Sequence, residues 1–347
     1  MEVKAFGTES KTASLKLLNI QRRDVTAHDV EIEILFCGVC HSDLHTARND
    51  WGGTIYPSVP GHEIIGRVTK TGAEVTRFKA GDMAGVGCLV DSCMECKNCR
   101  MDLEQYCLNG FVGTYNGKDK YLNTHTLGGY SEKIIVDEHF VLRIPDNLDP
   151  AAAAPLLCAG ITTWSPLRHW KVEKGSNVAV VGLGHMAIKL AKALGANVTL
   201  FSRSPEKIQN ALDLGADKVV ISTDAAQMKS VTGEFELIID TVPYVHDLNG
   251  YIPTLSINGT LVLIGYLGLL EPMLNTVPII LKRKSIAGSL IGGIAETQEM
   301  LDFCGKHSIT SEVEIIKMQE INEAYERMLK SDVHYRFVVD MGSLKEI

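Results

Sequence analysis

The sequence predicts an α/β protein of two domains, one mainly β and one built on a doubly wound parallel sheet. At 347 residues the chain is longer than a single core ordinarily serves. From Met1 to about Pro150 short alternating runs stand between glycine-rich turns, as in Val30-Glu31-Ile32-Glu33-Ile34 and Lys133-Ile134-Ile135-Val136, which is the period of half-buried strands. From about Ala151 to Ala287 apolar strands alternate with helical patterns, the rhythm of βαβ units.

In order, the second region offers strand Asn177–Val181, a helix over His185–Leu194, strand Val198–Phe201, a helix over Pro205–Leu214, and strands at Leu237–Val242 and Leu261–Ile264. Ser204 suits an N-cap there and Pro205 the first helical position. After Ala287 the pattern changes to a glycine-rich turn, Ser289–Gly293. Amphipathic helices near Thr297–His307 and Ile321–Ser331 follow, then a last strand at Arg336–Val339.

The formal net charge is -8 and no cationic cluster stands out, which argues against a nucleic-acid partner. No stretch approaches the ~18 apolar residues of a membrane helix, and MEVKAFGTESK lacks a signal-peptide core, so a cytoplasmic location is expected. Nine cysteines in such a chain read first as metal ligands or catalytic thiols.

Their spacing supports this. Cys93-x2-Cys96-x2-Cys99-x7-Cys107 brings four thiolates close enough to close a tetrahedral zinc shell, the mark of a structural site; a disulfide pair or an iron–sulfur cluster is the alternative. A second set is dispersed: Cys40, His62 and Cys158 offer mixed sulfur and nitrogen ligands, three in number, which leaves a fourth position open. Spacing alone does not prove it. Taken singly, Cys158 also reads as a buried core thiol and His62 as a hydrogen-bonded structural residue.

Together, GVCHSDLH (38–45), YPSVPGHEIIGRV (56–68), GDMAGVGCLVDSCMECKNC (81–99), GGYSEKIIV (128–136), APLLCAGITTWSPLRHW (154–170), AGSLIGGIAETQEMLDF (287–303) and INEAYERMLKSDVHYRFVVD (321–340) resemble the zinc-containing medium-chain alcohol dehydrogenases. Within these, the chain is most similar to the cinnamyl-alcohol-dehydrogenase-like, NADP-dependent aldehyde reductases. The resemblance spans essentially the whole chain. It implies a discontinuous, GroES-like catalytic domain over 1–153 and 288–347 and a Rossmann domain over 154–287.

The same resemblance implies a catalytic zinc on Cys40, His62 and Cys158, with Glu63 as an exchangeable ligand or an acceptor beside it, and a structural zinc on Cys93, Cys96, Cys99 and Cys107. Ser42 and His45 match a relay that carries the substrate's proton toward solvent; Ser42 also suits a helix N-cap. Asp43 matches a residue that orients a ligand or caps the helix, and His41 is structural or near the cofactor. Trp51 falls where the family has a large residue in the substrate pocket.

For the cofactor, Gly182, Leu183 and Gly184 follow the first strand of the parallel sheet, where glycines let a backbone approach a pyrophosphate. The family text here is a doubled G-x-G-G-x-G, so this chain is shorter by about three residues, nearly one turn at ~3.6 residues per turn. Ser202, Arg203, Ser204 and Lys207 offer hydroxyls and cations where NAD-binding sheets present an acid, which favours the 2′-phosphate of NADP(H). Thr162, Thr241, Ile264 and Arg336 complete the expected cofactor contacts.

The expected function is interconversion of primary aromatic, allylic or aliphatic alcohols with aldehydes, using NADP(H) and two zinc ions per chain, in a possible homodimer without membrane or nucleic-acid partners. The alternatives are a polyol dehydrogenase, and a zinc-binding relative in which the shortened turn impairs dinucleotide binding.

Overall fold

The computed structural model describes residues 1–182 and 184–346. The chain divides into two units, Met1–Ala159 with Gly292–Ile347, and Gly160–Ile291. The sequence reading set these joins at 153/154 and 287/288.

The first unit is organised on strand Asp29–Gly38, whose Val30, Ile32, Ile34 and Cys37 are buried. One edge pairs antiparallel with Ile64–Thr71. The other edge is shared, its first half pairing with Lys133–Asp137 and its last residues with Arg336–Asp340. Met83–Val86 and Leu142–Arg143 extend the sheet on one side and Val313–Lys317 on the other. The last of these strands is absent from the sequence reading, because only Ile316 of its five residues is buried and no alternation marks it.

Alternation puts Glu31 on the polar face, yet it is 5% exposed. Its carboxylate is compensated by Lys133 Nζ at 2.8 Å and Thr69 Oγ1 at 2.7 Å, as a buried charge requires. Helix Ile321–Leu329 turns Ile321, Ala324, Tyr325 and Met328 inward, an i, i+3, i+4, i+7 stripe.

The second unit is a six-stranded parallel sheet. Its order is Lys218–Ile221, Asn197–Ser202, Asn177–Val181, Phe235–Asp240, Leu255–Leu263, Ser285–Gly288. Numbered within the unit this is 3-2-1-4-5-6, the doubly wound order. Strands covered on both faces read as nearly continuous apolar runs, and Val181, Phe201, Phe235, Ile238 and Leu261 form the core. Strand order reverses between Asn177–Val181 and Phe235–Asp240, so the residues after Val181 and Asp240 stand where such sheets bind ligands. The helix expected over Pro205–Leu214 is a 3-10 turn, Pro205–Lys207, followed by helix Ile208–Asp213.

Candidate metal centres and cofactor site

At the end of strand Asp29–Gly38 the chain enters helix His41–Ala47, with Cys40 as its N-cap. Ser42 does not cap; it lies inside the helix, its Oγ 3.6 Å from Cys40 Sγ. Asp43 closes the cap by accepting the Cys40 amide at 2.8 Å. His62 and Glu63 lead into strand Ile64–Thr71, and Cys158 ends the 3-10 turn Ala154–Leu157.

These elements bring one ligand atom each from Cys40, His62, Glu63 and Cys158 within 4.8 Å of one another. The Cys40 and Cys158 sulfurs are 3.9 Å apart, close to the ~3.8 Å edge of a tetrahedron with metal–sulfur bonds of ~2.3 Å. His62 Nε2 and Glu63 Oε2 are buried without a hydrogen-bond partner among the described residues. Buried polar atoms are rarely left so, and a nitrogen facing two sulfurs suits zinc.

The electrostatics agree with a ligand set. A hydrogen bond from Cys158 holds the Cys40 thiol well below its ordinary value. Burial pushes the Glu63 carboxyl up to about 7 against the opposing charge of Arg336. Arg336, expected at the cofactor phosphates, bonds Glu63 Oε1 through its guanidinium.

The second set is closed. All four sulfurs of Cys93, Cys96, Cys99 and Cys107 lie within 4.8 Å of one another, with Cys93–Cys99 at 3.9 Å and Cys96–Cys99 at 3.5 Å. The amides of Cys99 and Leu108 each donate to Cys96 Sγ at 3.5 Å and hold its thiol down to about 6. Among the described residues no His, Asp or Glu joins this quartet, the Ser92 hydroxyl lies 3.3 Å from Cys99 Sγ, and all nine cysteines are free of disulfides.

Near the open set, His45 Nδ1 is 2.8 Å from Asp50 Oδ2, and the His45 ring lies 5.2 Å from Trp51. Trp51 is 45% exposed. His41 stacks on His45 at 5.9 Å. Sequence reasoning missed three tyrosines behind His62: Tyr115 Oη is 3.0 Å from His62 Nδ1, Tyr130 Oη donates to Asp43 Oδ2 at 3.1 Å, and Tyr325 is buried alongside. They are too far apart in sequence to form a motif.

In the second unit Gly182 has φ +77° and its carbonyl accepts the Gly184 amide at 2.8 Å. Helix His185–Ala193 starts directly after Gly184. A Cβ on Gly184 would stand 2.6 Å from Thr241 Cγ2, and one on Gly182 2.9 Å from Val242 Cγ2, so both positions require glycine. Thr241 Oγ1 donates to the Val181 carbonyl at 2.8 Å, tying the turn to the next strand. The Ile264 amide bonds the Asp240 carbonyl at 3.1 Å. Leu183 lies outside the described residues, and Thr162 is the fourth residue of helix Ala159–His169.

At the end of the second strand Ser202 Oγ donates to the Ser204 carbonyl at 2.8 Å, and Ser204 Oγ accepts the Glu206 amide at 3.3 Å. Arg203 and Lys207 are exposed. Arg203 donates to Tyr244 Oη at 2.8 Å, a neighbour the sequence reading did not name. No carboxylate bonds either cation among the described residues.

One unit with a closed and an open ligand set, joined in the same chain to a second built on a doubly wound sheet, defines a metal-dependent, dinucleotide-using oxidoreductase. Residues 26–146 match the alcohol dehydrogenase GroES-like domain and residues 182–306 the zinc-binding dehydrogenase domain. The chain is 53% identical to NADP-dependent alcohol dehydrogenase C 1 of Mycolicibacterium smegmatis over 99% of each chain. It is 50% identical to aldehyde reductase YahK of Escherichia coli over 100% of each.

Among solved structures, a cinnamyl alcohol dehydrogenase from Sorghum bicolor superposes with TM-score 0.95 at 43% identity, covering 99% of this chain and 98% of that one. The Helicobacter pylori enzyme complexed with NADP(H) gives 0.92 at 42%, covering 99% of each. The chain therefore belongs to the zinc-dependent medium-chain alcohol dehydrogenase family, in its cinnamyl-alcohol-dehydrogenase-like branch.

Proposed function

We propose that this protein is an NADP(H)-preferring, zinc-dependent alcohol dehydrogenase that interconverts primary alcohols and aldehydes, aromatic and allylic ones included. The observation that carries this reading is the open set of Cys40, His62, Glu63 and Cys158, with an unpaired ligand nitrogen and carboxylate oxygen. Relatives at 50–53% identity named as an NADP-dependent alcohol dehydrogenase and an aldehyde reductase support the substrate class.

Cys40, His62 and Cys158 hold the catalytic zinc, Glu63 exchanges onto it or stands beside it, and Cys93, Cys96, Cys99 and Cys107 hold a second, structural ion. When bound, the first ion supplies Lewis-acid polarisation of a carbonyl oxygen, and the reduced nicotinamide supplies hydride. Ser42 takes or gives the proton of the substrate hydroxyl, and His45, held through Nδ1 by Asp50, passes it to solvent. Trp51 presents an apolar wall to flat substrates.

Gly182, Leu183 and Gly184 let the backbone approach the pyrophosphate, with Thr162, Thr241, Ile264 and Arg336 as further contacts. Arg203 and Lys207 pair with the 2′-phosphate, helped by Ser202 and Ser204. Nine free cysteines suit a reducing cytoplasm, and no helix of the described residues is long and apolar enough to cross a membrane. A homodimer is supported by the edge strand Ser285–Gly288 and by exposed Leu269, Met273, Ile280 and Leu281 nearby in sequence.

The test is reduction of cinnamaldehyde and benzaldehyde with NADPH and NADH by protein loaded with two zinc ions per chain. Turnover that prefers NADPH is expected. No turnover with either cofactor overturns the reading, and a direct NADPH titration then shows whether the short glycine turn is the reason.

A further inference from the structure

We infer that Tyr115 is the positioning residue for His62: the ring's Nδ1–H donates to Tyr115 Oη, and the phenol ring stacks on the imidazole. The inference rests on the reading above that His62 is a zinc ligand. An imidazole that presents Nε2 to a cation must carry its one ring proton on Nδ1, and that proton needs an acceptor. The unpartnered Nε2 of His62 is the nitrogen on the ligand side. The question is which group receives Nδ1–H.

Two groups face it. Tyr115 Oη is at 3.0 Å, whereas Asp43 Oδ1 is at 3.6 Å, beyond hydrogen-bond reach. Asp43 is also engaged elsewhere: its carboxylate accepts from the Cys40 amide at 2.8 Å, the Gly61 amide at 3.0 Å and Tyr130 Oη at 3.1 Å. Those bonds serve the backbone that carries Cys40 and His62 rather than the imidazole.

The rings of His62 and Tyr115 stack at 5.3 Å and 20°, so the phenol fixes the plane of the imidazole as well as its tautomer. Tyr115 itself is held on both sides: the Thr114 amide and hydroxyl bond the carbonyls of Cys88 and Gly87, and the Asn116 amide bonds that of Thr126. The phenol oxygen therefore stands where a carboxylate would otherwise accept from the imidazole.

The test is Tyr115→Phe in the full chain, which keeps the stacked ring and deletes the one oxygen. With both sites loaded with Co(II), the variant is expected to release one cobalt per chain to a chelator about 10–100-fold faster than wild type. The visible absorption of that ion should shift, while the four-cysteine cobalt stays bound and reports an intact fold. Wild-type release and spectrum overturn the inference.

Cys158→Ser runs in parallel: if it still binds two ions as tightly as wild type, the zinc assignment has failed rather than the role of Tyr115. Should Tyr115→Phe not fold, wild-type zinc protein labelled with 15N-histidine serves instead. A slowly exchanging Nδ1–H of His62 with a nuclear Overhauser contact to the Tyr115 ring is expected, and its absence overturns the inference.

Discussion

The two sulfur-rich sites of the first unit solve different problems with similar ligands. The set at Cys93, Cys96, Cys99 and Cys107 is built from one short loop, with backbone amides of the loop itself turned onto the sulfurs. The set at Cys40, His62 and Cys158 is gathered from a helix cap, a strand entry and a distant 3-10 turn, and its polar atoms are left with spare bonding capacity. A local loop can saturate its ion and contribute stability. A dispersed set depends on the fold for its geometry and can keep a position free for chemistry.

The largest expected effect breaks or upholds that division directly. Cys158→Ser should lower kcat/KM by ~10³-fold or more, since Lewis-acid polarisation contributes several kcal/mol at about 1.4 kcal/mol per tenfold. Its melting temperature should stay near wild type. Cys96→Ser should do the reverse, costing about 3 kcal/mol, or roughly 6–12 °C by calorimetry for a unit of this size, because metal binding there is folding free energy. Exchanged outcomes would mean that the closed and open sites have been assigned the wrong way round.

The same contrast of local and dispersed sets can be sharpened in the second unit. Ser202, Arg203, Ser204 and Lys207 form a local run, and Arg203→Asp should reduce the NADPH-over-NADH preference about 10²-fold by removing a charge-assisted bond and adding repulsion. Steady-state kinetics with both cofactors measure this; unchanged discrimination would remove Arg203 from the site. The glycine turn and Thr241 form the dispersed counterpart. Gly182→Ala, at φ +77° with Val242 Cγ2 in the way, should cost about 1–2 kcal/mol and weaken NADPH binding several-fold in a fluorescence titration. Zinc content should not change.

Legibility in the sequence followed the same line. Strand Asn177–Val181 was readable to the residue, because an apolar run between polar ends has one sensible reading in a parallel sheet. The four-cysteine loop was readable from spacing. The open set needed the whole-chain family resemblance, since Cys40 and Cys158 are 118 positions apart. What escaped were partners made only by folding. Glu63 meets Arg336 across 273 positions, Tyr115 meets His62 across 53, and neither pair has a local signal. Ser42 lost the cap to Cys40 because a carboxylate at Asp43 already bonded the preceding amide.

The shared edge of strand Asp29–Gly38 has a consequence for biosynthesis. Residues Gly160–Ile291 form a contiguous unit, so all of its strands are in hand while the ribosome is still translating. The sheet of the first unit lacks its Arg336–Asp340 neighbour until much later. The nascent first unit waits with a partly unpaired strand edge, and unpaired edges attract wrong partners. Glu63 meets its arginine only when Arg336 emerges, so the charge balance beside Cys40 and His62 is among the last features of the molecule to be set.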